Sequence, residues 1–124
     1  MRVITVSNFK GGVGKTTTAV NLATLCARHG KRTLLIDLDP QASATDYFGL
    51  YEQAEDGANV IGLLYEGMTA DEMAYDSGTD NLRVIPATLA LINQNELLLA
   101  EQSLRFALDD VAGEYDVAII DTAP

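Results

Sequence analysis

Cysteine is almost absent from this sequence: Cys26 is the one thiol in 124 residues. No internal disulfide can form, and the chain alone cannot build a thiolate cage for zinc or an iron–sulfur cluster. Long apolar runs are missing too. No stretch reaches the roughly 18 apolar residues of a membrane span, and the opening Met-Arg-Val-Ile-Thr-Val leads into a polar, Gly-rich segment rather than the apolar centre of a signal peptide. The mature protein is therefore expected to begin here, in the cytoplasm. Basic side chains are scarce after residue 50, where two stand against fifteen acidic ones, while residues 1 to 50 carry six basic and three acidic. A nucleic acid is a poor direct partner for so acidic a stretch, because phosphate binding needs dense Lys and Arg. Internal repeats, low-complexity tracts and linkers are lacking as well, so residues 1–124 are expected to form one domain. With 48% hydrophobic residues, wholesale disorder is excluded.

What is present is an alternation of short apolar runs with longer amphipathic stretches, the pattern of strand–helix–strand units forming a parallel sheet flanked by helices. Arg2 to Ser7 reads as a strand because Val3, Ile4 and Val6 are stiff or branched near the backbone and Thr5 favours the same pleat. Lys15 to His29 reads as a helix, its Ala19, Val20, Leu22, Ala23, Cys26 and Ala27 recurring at three- and four-residue steps before Gly30 and the basic Lys31 and Arg32. Cys26 sits on that apolar stripe as packing, and His29 lies where a helix dipole favours a cation. Thr33 to Asp37 is a second strand, apolar on both faces and so interior to the sheet. From Gln41 to about Asp80 the signal weakens to a short helix at Asn59–Tyr65, another at Thr69–Met73 with Thr69 and Glu72 as a capping box, and a turn at Ser77-Gly78. Leu82 to Ile85, stopped by Pro86, is a third strand. Glu96 to Val111 is a helix whose apolar side includes Leu97, Leu98, Ala100, Leu104, Ala107, Leu108 and Val111, with the Leu97-Leu98-Leu99 run on the sheet's flank. Val117 to Ile120 is the fourth strand. No helix follows to cover it, so the sequence is expected to be a truncated piece of a longer domain unless oligomerisation covers the gap.

The chemistry is concentrated in Lys10-Gly11-Gly12-Val13-Gly14-Lys15-Thr16-Thr17, between the first strand and the first helix. Glycines let consecutive N–H groups approach phosphate oxygens without interference from Cβ, and the helix N-terminus adds partial positive charge. Lys15 would reach the β- and γ-phosphates, Thr16 would offer its hydroxyl to Mg²⁺, and Thr17 would bond the α-phosphate. The ordinary phosphate loop has glycine where this chain has Phe9, whereas the second lysine, Lys10, matches the deviant form of that loop. Standing at the loop's entrance, Lys10 is placed to cross a two-fold interface and touch a neighbour's nucleotide, as an arginine finger does.

Acidic residues support the same reading. Asp37 and Asp39 follow the second strand and Asp121 ends the fourth, all at the carboxyl ends of parallel strands, where open α/β sheets bind ligands. Asp121 is the natural Mg²⁺-directed carboxylate, acting through water, Asp39 is the candidate for orienting an attacking water, and Asp37 would support the metal's water shell.

Asn8-Phe9-Lys10 through Thr18, then Val20-Asn21-Leu22-Ala23, Leu34 through Thr45, Leu82 through Ala87 and Tyr115 through Asp121 together resemble the ParA/Soj partition ATPases, across residues 1 to 124 and the first half of such a protein, most weakly between Tyr47 and Asp80. The resemblance implies a P-loop ATPase fold in which ATP and Mg²⁺ drive a nucleotide-sandwich homodimer. That dimer binds DNA non-specifically through residues outside this chain, and a ParB-type partner stimulates hydrolysis. It further implies Lys10 as the signature lysine, Lys15 and Thr16 as phosphate and Mg²⁺ residues, Asp39 as the hydrolysis-linked aspartate and Asp121 as the second metal-loop aspartate. The implied strand order is third, second, fourth, first, with the first strand an open edge. Two other readings stand beside it: a nucleotide-binding interaction module without turnover, and a MinD-like ATPase positioning at a membrane. Nitrogenase iron-protein relatives share the loop, yet they need cluster-bridging cysteines, and Cys26 lies inside the first helix.

Overall fold

A computed structural model describes residues 1–7, 14–94 and 97–123. A five-stranded sheet is its centre. β1 (Arg2–Val6), β2 (Thr33–Asp37), β4 (Leu82–Ile85) and β5 (Val117–Asp121) run parallel, and the two-residue β3 (Tyr75–Asp76) runs antiparallel on β4. The spatial order β1-β5-β2-β4-β3 contains the implied order of the four expected strands and leaves β1 at one edge. The expected parallel sheet flanked by helices is present, and it gains one short antiparallel strand at the opposite edge, where β3 turns back over a tight Ser77–Asn81 connection. In that connection Ser77 Oγ bonds the Leu82 carbonyl at 2.7 Å.

Helices occupy both faces, as parallel strands require. On one side lies α1 (Lys15–Arg28), whose Ala19, Val20, Ala23 and Ala27 pack on Leu35, Val84, Val117 and Ile119. Small side chains on that stripe let the helix lie close to the sheet, and Cys26 is packed at its margin. On the other side α4 (Val60–Tyr65) and α6 (Leu97–Asp110) cover Leu34, Ile36, Ile85, Ala118 and Ile120. Successive strand residues thus alternate between two cores, which is the period-two rule of the pleat. Every residue of β2 is buried, and complete burial of Leu34, Leu35 and Ile36 contributes about 1.5–3 kcal/mol each.

Shorter elements join these layers: α2 (Ser43–Tyr47), α3 (Tyr51–Asp56), α5 (Ala70–Met73) and a 3-10 helix at Leu89–Asn93. The expected capping box is present, the Glu72 amide donating to Thr69 Oγ1 at 3.2 Å and the Thr69 amide to Glu72 Oε1 at 3.1 Å. Gly62 marks the contact of α4 with α5, since a Cβ there would collide with Met73 Sδ. The expected packing of Leu98 and Leu99 on the sheet's flank is corrected. Leu98 and Leu99 are 70% and 43% exposed, while Ala100, Leu108 and Val111 are buried. At about 100° per residue, Leu98 falls nearly opposite Ala100.

At the amino ends of the strands, Arg32 staples β2 to β5. Asp116 Oδ2 accepts from the Arg32 amide at 2.8 Å, Asp116 Oδ1 accepts from Arg32 Nη2 at 3.0 Å, and the Asp116 amide donates to the Arg32 carbonyl at 2.7 Å. The guanidinium holds the Asp116 carboxyl down at about 2. This staple fixes the register Thr33↔Val117 through Asp37↔Asp121, so two carboxylates end neighbouring strands at the same level.

Candidate functional site at the carboxyl ends of the strands

Helix α1 begins at this level. Its N-cap, Gly14, has φ +96°, a left-handed value that costs other residues strain although nothing crowds the position. Gly14 offers no side-chain cap, and the first turn holds Lys15-Thr16-Thr17 with no acid among them. Amides at such a terminus, reinforced by the macrodipole, suit an anion.

Lys15 is 5% exposed, and its ammonium pairs with Asp121 Oδ1 and lies 3.7 Å from Asp39 Oδ2. Thr16 Oγ1 donates to Asp121 Oδ2 at 3.1 Å. Expected residues Lys15, Thr16, Asp39 and Asp121 are therefore brought together by α1, the turn after β2 and the end of β5. Thr17, in the same helical turn, is exposed. Lys10, Gly11, Gly12 and Val13 lie outside the described residues.

Asp37 is fully buried and accepts three hydrogen bonds: Oδ1 from the Asp39 amide at 3.0 Å, Oδ2 from the Thr45 amide at 3.0 Å and from Thr45 Oγ1 at 2.8 Å. Its geometry gives it work inside the protein, bracing the loop that carries Asp39 from a position beside Asp121. Burial pushes its carboxyl from 3.8 up to about 6, against the opposing pull of the Thr45 and Asp39 donors and with a further push from Asp121. The protonated form consequently favours folding. That contribution is complete below the ordinary value and disappears as pH rises through about 6. Between pH 5 and 7 Asp37 should cost the fold about 1 kcal/mol. Urea unfolding across that range should show the decline, and Asp37→Asn should remove this slope while lowering stability throughout, because its amide nitrogen would face a donor.

Sequence reasoning gave no role to Thr45, although it stands inside the run that carries the resemblance. Its hydroxyl also accepts from the Ala87 amide at 2.8 Å, a partner 42 residues away that no local pattern announces.

The donor set fits a magnesium nucleotide. A hydroxyl and a carboxylate are hard oxygen ligands, and magnesium characteristically takes one or two such groups together with phosphates and water. No cluster of three acidic, histidine or cysteine side chains suited to a metal occurs among the described residues, so phosphate oxygens would have to complete the shell.

The description of the AAA domain family AAA_31 matches residues 1–124. The chain belongs to this family. Within it, the ParA/Soj resemblance expected from the motifs is met. This AAA domain is 41% identical over 134 residues to the chromosome partitioning protein ParA of Myxococcus xanthus, covering 99% of the chain and 44% of that protein. It is 43% identical over 125 residues to the chromosome-partitioning ATPase Soj of Thermus thermophilus, covering all of the chain and 47% of that protein. A cobyrinic acid a,c-diamide synthase of Mycobacterium smegmatis, solved with a bound ATP analogue and magnesium, superposes with a TM-score of 0.88 at 33% identity, over all of the chain and 52% of that structure. The chain thus spans about half the length of the relatives it matches. Among the described residues no helix is long and apolar enough to cross a membrane.

Proposed function

We propose that this chain is the nucleotide-binding portion of a partition-type P-loop ATPase domain, which binds ATP with Mg²⁺, forms a nucleotide-sandwich homodimer and hydrolyses ATP to position DNA or another cargo. The observation that carries the reading is the Lys15 ammonium held between Asp121 and Asp39 at the start of α1, with Thr16 on the other oxygen of Asp121.

In this reading Gly11, Gly12, Val13 and Gly14 offer amides to the phosphates, Lys15 neutralises the β- and γ-phosphates, and Thr17 bonds the α-phosphate. Thr16 through its hydroxyl and Asp121 through water would hold a Mg²⁺, which would supply charge neutralisation for the phosphoryl transfer. Asp39, 6% exposed, accepts a hydrogen bond from the attacking water and orients it. Asp37 serves the metal's water shell indirectly, by bracing Asp39 beside Asp121. Lys10 reaches the partner subunit's nucleotide. ADP and inorganic phosphate are the products, a ParB-type protein stimulates their formation, and the ATP-bound dimer contacts DNA through residues outside this chain, in the cytoplasm at the nucleoid.

Calorimetric titration with ATP and Mg²⁺, followed by phosphate release, tests the proposal. Saturable binding, turnover that stops when EDTA removes Mg²⁺, and ATP-dependent dimers in sedimentation are the expected results. Binding without phosphate release under stimulation would identify the non-hydrolysing module instead, and absence of binding would reject both.

A further inference from the structure

We infer that Thr45 is a positioning residue for Asp39, acting through a buried relay that joins three segments of the chain at the nucleotide end of the sheet. The inference rests on the ATPase reading above for its kinetic consequence, but the relay itself is a matter of hydrogen bonds.

The Thr45 hydroxyl uses both of its capacities. It donates to Asp37 Oδ2 at 2.8 Å and accepts from the Ala87 amide at 2.8 Å. Asp37 then uses its other oxygen to accept from the Asp39 amide at 3.0 Å. The chain of contacts therefore runs from the loop after β4, through the α2 residue Thr45 and the last residue of β2, to the backbone of the residue proposed to orient water. Thr45 and Asp37 are both completely buried, so water cannot substitute for either partner.

The Asp39 side chain is held at its other end as well. Its Oδ1 accepts from the Gln41 amide at 3.0 Å and its carbonyl accepts from the Ala42 amide at 2.8 Å, leaving Oδ2 directed at Lys15. Ala42 closes this hoop with φ +57°, an uncommon value for a residue with a Cβ. Ala42 has no side-chain hydrogen bond to secure that conformation. The Asp37–Thr45 contact ties the segment after it to β2, and the Ala87 contact ties both to β4. An orienting carboxylate must be held within fractions of an ångström, and such support comes from groups that do not touch substrate.

Thr45→Val keeps the shape and deletes both hydroxyl bonds; Thr45→Ser keeps the hydroxyl. Loss of a supporting hydrogen bond behind a functional group typically costs about 10- to 100-fold in activity. Thr45→Val should therefore lower kcat for ATP about 10- to 100-fold with KM and calorimetric affinity within about twofold of the parent, and Thr45→Ser should recover most of the rate. An unchanged kcat in Thr45→Val, a KM rise matching the kcat fall, or a Thr45→Ser protein no better than Thr45→Val would overturn the inference. If Thr45→Val does not fold, Thr45→Cys, with a weaker donor in similar space, should give an intermediate rate, and a parental rate would be just as damaging.

A second measurement needs no turnover. In nucleotide-free Thr45→Val the NMR amide signal of Asp39 should move and Ala87 should lose exchange protection, while α6 amides stay in place. A parent chain that fails to bind or hydrolyse ATP defeats the ATPase reading alone; a stationary Asp39 signal in Thr45→Val defeats the relay.

Discussion

Lys15→Ala should reduce ATP affinity by at least about 100-fold, because a charge-assisted contact to the β- and γ-phosphates is lost from a site with little solvent to replace it. The same substitution has a second effect in the absence of nucleotide. Asp121 is fully buried and Asp39 is 6% exposed, and both depend on the Lys15 ammonium for compensation. Removing one partner of such a group costs about 3–5 kcal/mol, far more than the intact pair contributes. The two effects separate in the double variant. Lys15→Ala with Asp121→Asn should regain part of that stability in urea unfolding, since the fully buried charge of Asp121 is gone while that of Asp39 remains, and should still fail to bind ATP. Retained calorimetric binding in the single variant would remove the phosphate-loop assignment.

Lys10→Ala addresses the neighbouring subunit. A cation reaching in trans to a transferring phosphoryl group is worth about 10³ to 10⁵ in rate, so phosphate release by the Lys10→Ala protein should fall by that order and ATP-dependent dimerisation should weaken. The decisive arrangement mixes two inactive proteins, Lys10→Ala and Asp39→Ala. In a mixed dimer, the site built on the Lys10→Ala subunit keeps its own Asp39 and receives the intact lysine of its partner. Half of the dimers in an equimolar mixture are mixed and each holds one complete site, so about a quarter of the parental rate should return. No recovery on mixing would mean that Lys10 acts within its own subunit.

The long elements were legible because each carries a periodic signal over many residues. α1 and β2 fall within one residue of their expected limits, and the buried β2 follows from aliphatic side chains on both of its faces, Leu35 on one and Leu34 and Ile36 on the other. α2 and α3, at five and six residues, are too short to establish a period. β3 exists because Tyr75 and Asp76 meet Val84 and Arg83 across the sheet, a pairing that two residues cannot advertise. Leu98 and Leu99 fall on the solvent side because, at about 100° per residue, three consecutive leucines cannot all share the face that carries Ala100. That Lys15, Thr16, Asp39 and Asp121 would come together was legible from residue type and from their places at the start of α1, after β2 and at the end of β5. Asp37 was expected at the metal's water shell; its bracing contacts were not legible, since they depend on Thr45 and on a backbone amide supplied by the loop beyond β4.

The edge strand β1 has a geometric consequence. Arg2 stands opposite Val117 and Val6 opposite Asp121, while Thr33 and Asp37 face those same two residues from the other side. Three successive strands therefore finish flush, with no stagger between them. Any further parallel strand laid against β1 in the same step, from this polypeptide or another, would arrive with its final residue flush with Asp37 and Asp121 and its following loop overhanging them. Additions on that flank would thus be felt at the rim that carries Lys15, Asp39 and Asp121 rather than at the far end of the sheet.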